Sequence, residues 1–157
     1  MPAALSPSEM VLLPLIDQWV NQHRPLFIAD LAGWISHASI SRADLALPGA
    51  PFGPACAALL QEVLAQAQAA GFRTENHQGY AGTVVYGQQQ YDIGLIAHLD
   101  VVPAGDNWTF PPFQLTQHGD FLTGRGVGDH KGPALMNLYL LQLFRALNVR
   151  SDERRAG

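Results

Sequence analysis

Two stretches of this sequence hold residue types that can bind a metal or move a proton. The first is Ala97-His98-Leu99-Asp100, which follows the apolar run Ile93 to Ala97. If that run is a strand, its period of two puts His98 and Asp100 on one face. There a neutral imidazole can bind a metal while the carboxylate orients the imidazole or holds a catalytic carboxylate. Ligands of open α/β sheets gather beyond the carboxyl ends of strands, which favours this location. A plainer reading stands beside it, in which both side chains cap a strand end through hydrogen bonds. The second stretch is Gly124-Arg125-Gly126-Val127-Gly128-Asp129-His130-Lys131-Gly132-Pro133. Its alternating glycines let the backbone fold tightly, and Pro133 suits a first helical turn. Asp129 is then either a helix N-cap or a metal ligand. A phosphate loop is disfavoured, because GxxxxGK[ST] is absent and a carboxylate sits where an anion would need amides.

The surrounding pattern gives the elements that must position these residues. From Glu9 to about Trp34 apolar residues recur at helical spacing, broken by Pro14 and Pro25, which predicts two short helices. Ser36 to Pro54 reads as a loop, and Ala55 to Ala70 as a helix stopped by Gly71. Phe72 to Glu75, Thr83 to Tyr86 and Tyr91 to Leu99 read as strands, with Gln88 to Gln90 as a hairpin loop and Ile93 to Ala97 as a central strand buried on both faces. Phe113 to Gln117 and Phe121 to Thr123 form a hairpin-like pair turned by His118, Gly119 and Asp120. Pro133 to Leu147 is a final helix. Helix, strands and helix in this order predict an α/β layered domain.

Composition limits the alternatives. A chain of 157 residues has room for one domain. Apolar residues at 48% make a hydrophobic core attainable, while only 14% are charged and the net charge of −4 argues against nucleic acid as a partner. No apolar run reaches the length of a membrane span. The single cysteine, Cys56, and an N-terminus MPAALSPSEM without signal-peptide features predict a reducing, cytoplasmic location. No GxSxG elbow accompanies the serines, and Cys56 has no motif histidine near it in sequence. His23, His37, His77 and His118 lack partners at ligand spacing and read as surface or capping residues.

Taken together, IGLIAHLDVVPAGDNW, the following PF and GRGVGDHKGP resemble the zinc aminopeptidase/deacylase superfamily of co-catalytic metallopeptidases, the M20 type. GFRTENHQGYAG is similar to its bacterial dipeptidase branch. The resemblance runs from about Ala32 to Asn148. It implies a partial zinc-peptidase catalytic domain, α/β, with a mixed sheet flanked by helices. It also implies His98 as a ligand of one zinc, Asp129 as the carboxylate bridging two zincs, and Asp100 as the catalytic-site acid that orients the general base. The implied activity is hydrolysis of dipeptides, with a small peptide as substrate; an N-acyl-amino-acid deacylase is the alternative within the same chemistry. Lys131, the only lysine, matches the family's motif lysine and reads equally well as a solvated charge at a helix start.

The sequence also departs from that pattern. His130 stands where the superfamily more often has Asp or Met, and reads as an outward-facing side chain or an extra ligand. No Glu-Glu pair, the family's general base and zinc ligand, occurs in the chain, and the family's lid or dimerisation domain is expected to be missing. The expectation is a truncated N-terminal part of the catalytic domain over residues 1–157, catalytically incomplete alone, whose uncovered edges favour self-association. A non-catalytic remnant or interaction module is the rival from a different class.

Overall fold

The computed structural model describes residues 7–87 and 93–148. Helix α1 spans Pro7–Ser36 and is followed by a 3-10 turn at Ala43–Leu45 and helix α2 at Pro54–Ala69. Strands β1 (Arg73–His77) and β2 (Ala81–Val85) form one antiparallel pair, β3 (Thr116–His118) and β4 (Phe121–Thr123) a second, and α3 (Lys131–Ala146) closes the order. The α/β class is borne out, with the described strands in two separate two-stranded sheets.

The core forms where helical spacing turns apolar residues to one side. Leu31, Trp34 and Ile35 on α1, Leu59 and Ala67 on α2, and Leu135, Leu138 and Tyr139 on α3 are buried together with Phe72. The hairpin of β1 and β2 packs on α2. Polar groups inside this interface are paired, as burial requires. Trp34 Nε1 donates to Gln66 Oε1 at 3.0 Å, Gln66 Nε2 to Asp30 Oδ2 at 2.5 Å, and the Tyr139 hydroxyl to the same Asp30 oxygen at 2.7 Å. One carboxylate thus ties three helices.

Helix α2 ends as its sequence dictates. Phe72 N donates to Ala67 O at 3.0 Å and Gly71 N to Gln68 O at 2.8 Å, with Gly71 at φ +82°. This is the paired bonding of a Schellman stop, whose left-handed residue favours glycine. Gly71→Ala is therefore expected to cost about 1 kcal/mol, read as a lowered midpoint in thermal unfolding. An unchanged midpoint would remove the stop from the list of stabilising features.

Two expectations fail. Instead of two helices, α1 is a single helix of 30 residues with Pro14 and Pro25 inside it. Both prolines lie on its exposed side, where the carbonyls they leave unbonded reach water and the rings crowd no packed neighbour, which lessens the usual penalty. The expected strand Tyr91 to Leu99 is also absent from its described part, residues 93–99. Ile93 and Ile96 are 72% and 93% exposed, the reverse of a doubly buried strand. A strand is buried by its neighbours, and among the described residues the nearest pairing is the parallel bridge Ile40↔Val101, just past the segment. The hairpin turn expected at Gln88 to Gln90 lies outside the described residues. A hairpin turn does occur earlier, at Gln78 and Gly79, both at positive φ. The later pair of short strands turns through Gly119 and Asp120, close to expectation.

Candidate active site

The segment carrying His98 and Asp100 has no regular secondary structure and is fastened at its end. Ser39, fully buried, donates its hydroxyl to Leu99 O at 2.7 Å, and Val101 N donates to Ser39 O at 3.0 Å. The loop carrying Asp129 leads into α3. His130 holds the N-cap position without a side-chain cap bond, so the N-cap reading of Asp129 fails and its carboxylate is left for other work. Gly126 adopts φ +96°. A Cβ there would press on Val101 and on the Lys131 stem, at 3.0 and 3.1 Å.

These two segments meet. His98 Nε2 lies 3.0 Å from Asp129 Oδ1, while His98 Nδ1 lies 3.3 Å from Asp100 Oδ1 and 3.1 Å from the Asp100 carbonyl oxygen. The imidazole thus stands between two carboxylates, and a neutral ring can donate to only one side at a time. If Nδ1 donates toward Asp100, the Nε2 lone pair faces Asp129 and a cation between them. The cluster is open to solvent, with the Asp129 side chain 84% exposed. Among the described residues no group of three or more His, Cys, Asp or Glu side chains could hold a metal ion.

His130 does not simply face outward. Its ring stacks on that of His98, with centroids 4.9 Å apart and planes 15° apart, and its Nδ1 is buried without a hydrogen-bond partner. Lys131 departs furthest from a solvated charge. It is fully buried, and Nζ donates to Trp34 O at 3.0 Å and to His37 O at 2.6 Å. Burial pushes its ammonium down to about 8. Sequence reasoning did not single out Ser39, and a lone serine in a loop carries no signal that could have found it.

The remaining histidines are engaged elsewhere. His37 pairs with Glu62 at 2.7 Å, His77 with Thr83 at 2.7 Å, and His23 stacks on Trp19. Trp108 packs the loop after Val101, donating Nε1 to Ala104 O at 2.7 Å beneath the Arg125 guanidinium. The shallow depression beside it is lined by Asp106, Asn107, Trp108, Thr109, Phe110 and Thr123, none of which belongs to the His98 cluster. Cys56 is half-buried, with its thiol directed at Ser39 O, and burial pushes the thiol up, away from thiolate chemistry.

The chain is similar to several known proteins. Residues 94–154, which include His98, Asp100 and Asp129, match the model of peptidase family M20/M25/M40. The chain is 34% identical over 127 residues to YtjP of Bacillus subtilis, provisionally named a dipeptidase; the match spans 81% of this chain and 27% of YtjP. It is 31% identical over 135 residues to a protein of the same provisional name from Staphylococcus saprophyticus, spanning 86% of this chain and 29% of that protein. Among solved structures, human carnosine dipeptidase 1 superimposes with a TM-score of 0.66 at 26% identity, over 87% of this chain and 32% of that one. The chain therefore spans about 30% of the length of the proteins it matches.

Proposed function

We infer, from a chain whose sequence and fold are those of a part of an M20-type peptidase, that it is the N-terminal portion of a catalytic domain that hydrolyses dipeptides at a dinuclear zinc site. The observation that carries the reading is the approach of His98 Nε2 to Asp129 Oδ1 at 3.0 Å across 31 residues of sequence. Two donors bound tetrahedrally to one zinc at about 2.0 to 2.2 Å stand about 3.3 to 3.6 Å apart, so this pair needs to open by only a few tenths of an ångström. The donor chemistry, one imidazole and one carboxylate, suits zinc.

In this reading His98 and Asp129 are the residues that would hold the metal. Asp100 orients His98 and the catalytic base. A bound zinc pair supplies polarisation of the scissile carbonyl and a water made acidic near neutral pH. The described residues present two donors where catalytic zinc usually has three from protein, and no Glu-Glu base is in the chain. The 157-residue chain is therefore read as catalytically incomplete. A non-catalytic binding module is the second reading, favoured by the lack of a three-donor group among the described residues.

Calorimetric zinc titration and dipeptide turnover on the purified chain test this. Weak zinc binding that His98→Ala and Asp129→Ala each abolish is expected, with turnover near background, because general-base help worth about 10² to 10⁴ in rate is absent. Zinc binding untouched by both substitutions would overturn the site assignment, and robust turnover would overturn the incompleteness.

A further inference from the structure

The His98–Asp129 pair is assembled from two loops that share one anchor. The anchor is the C-terminal end of α1 and the residues after it, 34–40. From one side the Asp129 loop reaches it through Lys131, whose ammonium bonds the carbonyls of Trp34 and His37. These are carbonyls at the end of a helix, where the backbone lacks intrahelical donors and favours positive charge. From the other side the His98 segment reaches it through Ser39, which bonds Leu99 by its hydroxyl and Val101 by its carbonyl, and through the Ile40↔Val101 bridge. Both anchoring side chains are fully buried. The loop wraps the lysine stem closely: Gly132 N donates to Gly126 O at 3.2 Å, and Gly126 sits against both Val101 and Lys131.

We propose that Lys131 and Ser39 are positioning residues that together set the separation of His98 from Asp129, with the end of α1 as their common support. Neither touches the reacting atoms. Each holds one of the two segments at a fixed distance from the same helix end, so loosening either hold lets imidazole and carboxylate drift apart. An apolar residue in place of Lys131 would fill the same volume, strip the His37 carbonyl of its donor and leave the Trp34 carbonyl with only the 3.4 Å bond from His37 N. Burial of an ammonium is costly without such partners, which accounts for a lysine enclosed within the fold only where its charge is used.

The inference rests on the metal reading of His98 and Asp129, and its test separates the two. Zinc affinity by calorimetry and the His98 ring-nitrogen signals in metal-free nuclear magnetic resonance spectra are measured for the full chain and for Lys131→Met, Ser39→Ala and Asp129→Asn. Outer supports of metal ligands are worth about 10- to 100-fold in affinity. A loss of at least about tenfold is expected in Lys131→Met and Ser39→Ala, with the His98 Nε2 signal moved toward its position in Asp129→Asn while the α2 amide signals stay in place. Wild-type affinity and an unmoved His98 signal in Ser39→Ala, or in a folded Lys131→Met, would overturn the proposal. If Lys131→Met does not fold, Ser39→Ala alone decides, because it removes one hydroxyl and no charge. Should Asp129→Asn itself leave zinc affinity unchanged, the metal reading fails, and the resonance shift still tests the positioning of the pair.

Discussion

Trp34→Ala is expected to lower the unfolding free energy by about 3 to 5 kcal/mol, the usual cost of removing a buried indole. Trp34 is 1% exposed and lies in the cluster shared by α1, α2 and α3. The substitution leaves a cavity between helices and removes the indole donor from the half-buried Gln66 amide oxygen, which adds to the cost. Since the stability of a domain is typically about 5 to 15 kcal/mol, the variant should be largely unfolded near body temperature or melt about 10 °C lower. Urea unfolding followed by circular dichroism measures this, with Met10→Ala as the control. Met10 is 61% exposed on the same helix, so its loss should stay within about 0.5 kcal/mol. Equal midpoints for the two variants would mean that the core does not lie where these helices meet.

The second large effect is a rise in stability with pH between about 8 and 9. Lys131 is enclosed, and burial pushes its ammonium from 10.5 down to about 8. Below about pH 8 both folded and unfolded chains carry the proton, and the folded state bears the full cost of the buried charge. Between about 8 and 10.5 the unfolded chain holds more protons than the folded one, so stability climbs with pH by at most about 1.4 kcal/mol per unit. The carbonyls of Trp34 and His37 accept from the ammonium and reduce that slope. Above about pH 9 two groups act in the opposite sense. The Cys56 thiol is pushed up by burial, and the Tyr139 hydroxyl by burial and then by its bond to Asp30. Each keeps its proton in the folded chain after the unfolded chain has lost it, so their contributions fall as pH rises. The net curve should rise from about 8 to 9 and flatten beyond. Denaturant unfolding across this range checks it; a wild-type curve that is flat or falling over this unit would show that the lysine stays charged, and a folded Lys131→Met should lack the rise.

The features legible in the sequence are those set over short stretches of chain. Helix α2 and its end at Gly71 follow from apolar spacing and one residue able to take φ +82°. Helix α3 follows from the spacing of Leu135, Leu138, Tyr139 and Leu143. The residue types at 98, 100 and 129 mark these positions in the sequence as candidates for metal binding or for capping, and the fold brings His98 Nε2 within 3.0 Å of Asp129 Oδ1. Tertiary structure alone decided the rest, since each remaining feature depends on what a segment meets across the fold. Pro14 and Pro25 lie in one continuous α1 because their side of it faces water. Residues 93–99 resemble a buried strand by composition and are not one, since burial comes from neighbours that the described chain does not place beside them. Lys131 looks like a surface charge until the end of α1, with carbonyls 94 and 97 residues away in sequence, supplies its acceptors. Asp129 turns from a capping position to His98 for the same reason: a hydrogen bond across 31 residues is fixed by where two loops are anchored, and no local pattern of residues encodes that distance.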